Sequence, residues 1–396
     1  MITYRYAIVG GGMAAAAAVK GIRRHDRVGS IGLLSMDRYP PYDRPPLSKQ
    51  LWTGEKTLEH VWSYGTARSL AVTEHLSTQI TRLDPAAKRL FDQHGREYGY
   101  DKLLLATGGT PITLPTDSAR VVCLRTLDDY LAIWRWGQPG QSVVIVGGGF
   151  IGAELAAALV RRGATVAMVF PEHGILGRIL PRDLSDHVTA GYLTHGVNVA
   201  AGETVHLIED RGAQVVVRTE HRSLEGQLVV LGLGIRANTQ LARDAGLAVD
   251  QGIVVNQRGE TSAPDIWAAG DAAEIPAPSL NRTVRVEHED NAVVGGRVAG
   301  ENMAGGHATQ DDLPFFYSDL FDVGFEAVGI LRSDLDTVAA WTTPFEEGVI
   351  YYRDDAQRVV GVLNWNVWDG VANARRLLGG PVPSTPGPAP TGDVQR

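Results

Sequence analysis

The sequence predicts an α/β fold, and three observations predict it. Strand signals alternate with helical stretches through most of the 396 residues, the pattern of parallel sheets wound with helices. A strand, a glycine turn and a helix start occur twice, as Ala7-Ile8-Val9-Gly10-Gly11-Gly12-Met13-Ala14-Ala15 and as Val144-Ile145-Val146-Gly147-Gly148-Gly149-Phe150-Ile151-Gly152. From Leu313 to Leu378 the pattern shifts to short β-rich runs, Val338 to Trp341, Val349 to Tyr352 and Val359 to Asn364, before a final helix around Gly370 to Leu378. Together these give two Rossmann-like dinucleotide-binding domains and a C-terminal α+β cap.

The boundaries follow from where each pattern stops. The strand Asp265 to Asp271 would complete the first unit after the second has interrupted it, so the first domain is expected to be discontinuous, residues 1–117 and 243–312. The second spans 118–242 and the cap 313–380. Beyond Gly380 the proline-rich stretch 381–396 has too little apolar surface to bury a core and is expected to be disordered.

Composition narrows the function classes. The 46 glycines cluster beside apolar runs, where tight turns and close backbone approach to a ligand are expected. A net charge of -8 argues against a general nucleic-acid binder. No charged and apolar leader precedes the run Tyr6 to Val9, and no stretch is long and apolar enough to span a bilayer, so a cytoplasmic, membrane-free protein is expected, as monomer or homodimer. The one cysteine, Cys123, sits in what reads as a short buried strand and is expected to pack as a small hydrophobe.

The first fingerprint places Gly10 at the tight turn, Gly12 where a pyrophosphate comes close, and Ala15 where helix packs on strand, with Met13 and Ala14 opening the helix. Backbone amides and the positive end of the helix dipole at that start suit a diphosphate. An acid should follow the second strand to hold the adenosine ribose; Met36 stands at the usual position, and Asp37 is the candidate. The second fingerprint has all three glycines, Gly147, Gly149 and Gly152, with Phe150 and Ile151 between them, and its second strand ends at Pro171-Glu172. A carboxylate at Glu172 accepts bonds from a ribose diol and repels a 2′-phosphate, which favours NADH as donor. A solvated surface glutamate is the competing reading.

Two dinucleotide units call for two dinucleotides, and hydride chemistry between a flavin and a nicotinamide accounts for such a pair. Leu103 to Gly109 and Ile266 to Asp271 read as the returning strand ends that close on FAD, with Asp271 accepting from the ribityl chain unless it only caps the next helix.

The chain resembles the glutathione-reductase-type flavoproteins, in the branch that holds bacterial ferredoxin reductases and apoptosis-inducing factor. The resemblance covers residues 4 to about 378 and rests on Pro41 to Lys49 (PYDRPPLSK), Phe170 to Pro181 (FPEHGILGRILP) and Val286 to Met303 (VEHEDNAVVGGRVAGENM). It implies that Arg44 and Lys49 contact FAD, that Lys49 pairs with Glu154 beside the hydride-accepting atom, and that Arg125 and Ile80 contact FAD as well. It also implies that His288 and Glu289 begin a helix aimed at the flavin, and that Phe150, Gly234, Glu287, Glu326 and Asn366 lie on the nicotinamide side. A fixed cation in a dry pocket would stabilise the negative charge that reduction brings. Arg178 belongs to the second matching string and is placed with Glu172 at the NAD site.

Two departures bear on the flavin. Tyr317 stands where many relatives carry tryptophan, and Met36 replaces the ribose acid. The long cap insertion of the animal apoptosis-inducing factors has no counterpart between Thr343 and Gly348.

A disulfide reductase needs a paired dithiol and is excluded by a single cysteine. Three readings stay open. The chain could pass electrons from NADH to a small carrier such as a [2Fe-2S] ferredoxin or Rieske-type protein. It could be an apoptosis-inducing-factor-like oxidoreductase with slow turnover to oxygen or quinone, or a redox-sensing interaction protein.

Overall fold

The computed structural model describes residues 1–62, 70–385 and 387. Of the expected disordered tail, 386 and 388–396 lie outside the described residues. The chain divides into two compact units. One comprises Met1–Asp43, Leu58–Thr110 and Arg236–Phe315; the other comprises Arg44–Thr57, Pro111–Ile235 and everything from Phe316 onward. Where the sequence suggests three domains, the stretch expected to bind NAD and the cap fall within one unit, which also takes in the short segment that carries Arg44 and Lys49.

The first unit is built on a seven-stranded sheet. Strand Ile2–Val9 lies between Ile31–Leu34 and Glu97–Leu105, parallel to both, so that Ile8 sits beside Leu33 and Leu104. Ile8, Leu33 and Leu104 are wholly buried, which is why these strands read as unbroken apolar runs and not as alternating ones. Strand Ile266–Ala268 joins the same sheet, in parallel register with Leu103–Leu105. The return of the chain to its first sheet is therefore an observed pairing.

Helix Met13–His25 opens with five alanines from Ala14 to Ala18, and their small side chains let helix Glu289–Met303 come close. A Cβ on Gly296 would stand 2.2 Å from the Ala14 carbonyl oxygen, and one on Gly300 2.2 Å from that of Ala18. The two helices therefore pack closely side by side.

The second unit holds a parallel sheet in the order Asn198–Ala201, Thr165–Phe170, Ser142–Val146, Leu228–Leu231, Val121–Cys123, followed by a three-stranded antiparallel sheet from Leu207 to Gly226. Its C-terminal part is a five-stranded antiparallel sheet, in the order Phe315–Leu320, Val323–Gly329, Val359–Trp365, Glu347–Arg353, Asp336–Thr343, with helix Val371–Leu377 against it. Cys123 departs from expectation. Its strand exists, but the residue is only half-buried, because Val121–Cys123 is the edge of the parallel sheet. No helix among the described residues is long and apolar enough to cross a membrane.

Candidate functional site

In the first unit the glycine turn is forced by its surroundings. Gly10 has φ +126°, and a Cβ there would stand 2.0 Å from the Ala106 carbonyl oxygen. No side chain caps the start of helix Met13–His25 at Gly12, and its first turn carries no acid. The first helical backbone bond runs from Ala16 N to Gly12 O, so the amides of Ala14 and Ala15 precede the intrahelical ladder and face the helix start. Such a start fits the diphosphate of FAD. Ala15 is wholly buried, in the core cluster that also holds Ile8 and Leu104.

Asp271 lies in the short turn Gly270–Ala272, beside that helix start: a Cβ on Gly270 would meet the Ala14 Cβ at 3.0 Å. The next long helix begins at Glu289, with His288 at its cap position. His288 is half-buried, and desolvation of its ring drives the imidazole down to about 4 against the opposing charge of Asp271; the ring is neutral at physiological pH. The helix that follows His288 carries Glu289 and Asp290 in its first turn, which offset its dipole there. Glu287 is paired with Arg285 at 2.6 Å, and Arg285 also donates to the Asp271 carbonyl at 3.4 Å.

The expected ribose acid is locally engaged. One Asp37 oxygen accepts the Tyr42 hydroxyl at 2.9 Å and the other accepts the Tyr39 amide at 3.1 Å. Ile80 is buried at the start of strand Ile80–Asp84. Ser35, which the sequence left unremarked, is buried against the glycine turn: a Cβ on Gly11 would stand 2.1 Å from its Oγ.

In the second unit the same logic recurs. Gly147 has φ +125° and its Cβ would stand 2.3 Å from the Gly232 carbonyl oxygen; a Cβ on Gly152 would stand 2.2 Å from that of Gly147. Gly149, by contrast, has nothing within 4 Å of a Cβ. It caps helix Phe150–Arg161 without a side-chain bond and without an acid in the first turn, which fits a second diphosphate. Phe150 packs edge-on to Phe316 at 5.4 Å between ring centroids, while Ile151 is 38% exposed. Gly234 sits at the return from strand Leu228–Leu231 with φ +89° and accepts the Ile112 amide at 3.0 Å.

At the end of strand Thr165–Phe170, Glu172 is contacted directly by the guanidinium of Arg178. Its charge is therefore balanced within the protein, a pairing that the sequence reading placed in one site but did not foresee. Arg178 itself is 77% exposed. Arg125 precedes helix Leu127–Trp136, its amide donating to Asp129 at 3.0 Å. Glu326 is half-buried, and burial followed by the nearby Asp369 charge raises its carboxyl above the usual range. The Asn366 side chain accepts from the Gly324 amide and donates to the Glu346 carbonyl, each at 2.7 Å, so both of its ends are engaged in the sheet.

A buried polar cluster surrounds Lys49 and Glu154. The turn Pro45–Leu47 begins at Arg44, and Trp52 anchors the segment by donating its indole N–H to the Leu47 carbonyl at 2.7 Å. Lys49 Nζ lies 3.0 Å from Glu154 Oε1, 3.5 Å from the Tyr317 carbonyl oxygen and 4.0 Å from the centre of the Tyr317 ring. Ser48 Oγ donates to Glu154 Oε2 at 2.6 Å, and Ser318 Oγ donates to Oε1 at 2.7 Å. Both serines were passed over in the sequence, although each directly adjoins a residue it singled out, Lys49 and Tyr317.

Residues 4–303 match the family described as pyridine nucleotide-disulphide oxidoreductase, and 299–347 match the one described as apoptosis-inducing factor, mitochondrion-associated, C-terminal. The chain is 33% identical over 420 residues to apoptosis-inducing factor 1, mitochondrial, of Dictyostelium discoideum, covering 95% of this chain and 78% of that protein. It is 31% identical over 370 residues to putidaredoxin reductase of Pseudomonas putida, covering 90% and 88%. Among solved structures it is similar to the covalent putidaredoxin reductase–putidaredoxin complex, with a TM-score of 0.88 at 28% identity over 96% of this chain and 94% of that one.

Proposed function

The chain belongs to the pyridine nucleotide-disulphide oxidoreductase family, and on that premise we propose that it carries electrons from NADH to a small iron–sulfur protein, a [2Fe-2S] ferredoxin or Rieske-type carrier. It is an FAD-dependent NAD(P)H oxidoreductase with FAD and NAD(H) as its cofactors. The observation that carries the choice of acceptor is the cysteine count. A relative that reduces a disulfide needs a dithiol, whereas here Cys123 is alone and half-buried at a sheet edge, so the electrons leave for an outside acceptor. The similarity to a reductase solved in complex with putidaredoxin supports a small protein in that role.

When bound, FAD supplies a ring that takes two electrons as a hydride and returns them one at a time. In this reading the starts of helices Met13–His25 and Phe150–Arg161 hold the two diphosphates through backbone amides. Lys49 supplies the fixed cation that favours the reduced ring, held in place by Glu154 and by the Tyr317 ring and carbonyl. His288, neutral throughout the physiological range, donates or accepts a hydrogen bond without adding charge.

The match of 299–347 to the apoptosis-inducing-factor C-terminal model favours a second reading, an apoptosis-inducing-factor-like NADH oxidoreductase or redox-sensing protein with slow turnover to oxygen or quinone. Steady-state kinetics separate the two. Fast NADH-dependent reduction of a [2Fe-2S] ferredoxin, with oxygen and quinones at least tenfold slower, supports the carrier reading. A long-lived reduced complex that ignores every ferredoxin and Rieske protein offered overturns it.

A further inference from the structure

Strands Phe315–Leu320 and Val323–Gly329 are neighbours in the C-terminal antiparallel sheet and are joined by only two residues, Phe321 and Asp322. The turns that close such short hairpins take a positive φ at their first position, where glycine, asparagine and aspartate are favoured. The chain places phenylalanine there, at φ +26°. A bulky residue in that region is strained and persists only where its surroundings hold it.

The surroundings hold Phe321 from three sides. The His195 imidazole lies flat on its ring, with 4.0 Å between ring centres and 13° between planes, and Tyr192 meets it edge-on at 4.8 Å. The Arg161 guanidinium stands 5.6 Å from the ring centre and also donates to the Phe321 carbonyl oxygen. Asp322 adds a contact to His195, Oδ2 to Nε2 at 3.0 Å. None of these partners of the turn belongs to the sheet. Tyr192 lies in helix Arg182–Thr194 with His195 at its end, and Arg161 is the last residue of helix Phe150–Arg161. Tyr192 also ties the two helices together, its hydroxyl donating to the Ala153 carbonyl at 2.9 Å.

Strand Phe315–Leu320 and its turn are thus fastened to helix Phe150–Arg161 at two points. Ser318 Oγ meets Glu154 at one, and the Phe321 carbonyl meets Arg161 at the other. The spans match, since Ser318 to Phe321 is about 10 Å of extended chain and Glu154 to Arg161 is about 10.5 Å of helix. A single bond at Ser318 leaves the strand free to pivot about it, and the second attachment removes that freedom. Tyr317 directly adjoins the first attachment, and it gives Lys49 its carbonyl oxygen at 3.5 Å and the face of its ring at 4.0 Å.

We propose that Phe321 and Arg161 are positioning residues that hold Tyr317 on Lys49, because the clamped turn fixes the strand against the helix that carries Glu154. Phenylalanine occupies a position that suits glycine because its ring does the holding. The effect on the reaction rests on the reading of Lys49 as the cation at the flavin; the placement of Tyr317 is independent of that reading.

The test is Phe321→Gly, which suits the positive φ and removes only the ring. The FAD-loaded protein is labelled with fluorotyrosine, and the Tyr317 resonance is assigned in the fluorine NMR spectrum by its absence from Tyr317→Phe. In Phe321→Gly that resonance should shift or split. Anaerobic flavin reduction at saturating NADH should slow by about tenfold or more, with KM for NADH unchanged, because a group displaced from the reaction centre costs rate and not binding. Phe321→Tyr, which keeps the ring, should restore both. Arg161→Met should move the same resonance, and it decides the matter where Phe321→Gly fails to fold. A Tyr317 resonance at its wild-type position in the variants that fold would overturn the proposal, whatever their thermal stability. A displaced resonance with an unchanged rate of flavin reduction would keep the clamp as the support of Tyr317 but defeat the reading of Lys49 as the cation at the flavin.

Discussion

Lys49 Nζ stands 3.0 Å from Glu154 Oε1, with the lysine side chain 10% and the glutamate 6% exposed. A pair so dry is weak ground for stability, since desolvation of two charges offsets most of their attraction, and it is stronger ground for a role in tuning a neighbouring charge. Helix Phe150–Arg161 supplies the acid, the turn after Leu47 supplies the base, and strand Phe315–Leu320 closes over both.

Replacing Lys49 by Met keeps most of the apolar stem and deletes the cation. Loss of one charge-stabilising donor costs about 2 to 3 kcal/mol, so anaerobic flavin reduction by NADH should slow by roughly thirty- to hundredfold. Stopped-flow traces of fully flavinated protein provide the check. A wild-type rate would make Lys49 part of the scaffold.

Donor preference is expected to turn on the Glu172–Arg178 contact. Glu172 accepts from a ribose diol and holds an exposed guanidinium that could otherwise meet a 2′-phosphate. Glu172→Ala should lower kcat/KM for NADH by about tenfold or more and raise it for NADPH, and adding Arg178→Ala should cancel the NADPH gain. Equal NADPH kinetics in the single and double variants would remove Arg178 from this role.

His288 sets a pH dependence of stability. Its folded value of about 4 lies below that of a free histidine, so between about pH 4 and 6.5 the unfolded chain binds the extra proton. The stabilisation is complete above about pH 6.5 and is lost as pH falls toward 4, by about 3 kcal/mol. Urea unfolding of the apoprotein at the two ends of that range should show a stability difference smaller by about this amount in His288→Gln than in the wild type. Equal differences in the two proteins would mean that the imidazole is not held neutral by burial.

Much of the fold is legible in the sequence because it depends on local chemistry. The glycine turns at Gly10 and Gly147 need positive φ and an absent Cβ, and the strands before and after them are apolar on both faces. The site was legible only where a residue type signals its own role. Lys49 and Glu154 are 105 positions apart, and their pairing came from resemblance. The convergence of Ser48 and Ser318 on one carboxylate, across 270 positions, leaves no periodic or compositional trace. Nor does spacing reveal that Asp37 and Glu172 already have partners in their own loops, or that Asn366 is held by Gly324 and Glu346, outside its own loop. A single hydrogen bond depends on side-chain direction, which the strand and helix pattern leaves open.

The two glycine turns also allow structure and function to be separated by the same small change. At Gly147 an added methyl group would be strained by φ +125° and would stand 2.3 Å from a carbonyl oxygen. Gly147→Ala should therefore destabilise the protein by about 2 to 4 kcal/mol, and its loss of NADH activity would be uninformative. At Gly149 the backbone has φ -80°, which any residue adopts, and the space around a Cβ is open to 4 Å. The unfolding transition of Gly149→Ala should stay within about 0.5 kcal/mol of wild type, with FAD content unchanged. If the open space is where the NADH diphosphate approaches the helix start, the methyl group takes that space and KM for NADH should rise by about tenfold or more, while flavin reduction at saturating NADH is largely preserved. Thermal unfolding and a KM-against-kcat comparison on the same sample decide the matter. An unchanged KM in a stable Gly149→Ala protein would place the diphosphate elsewhere.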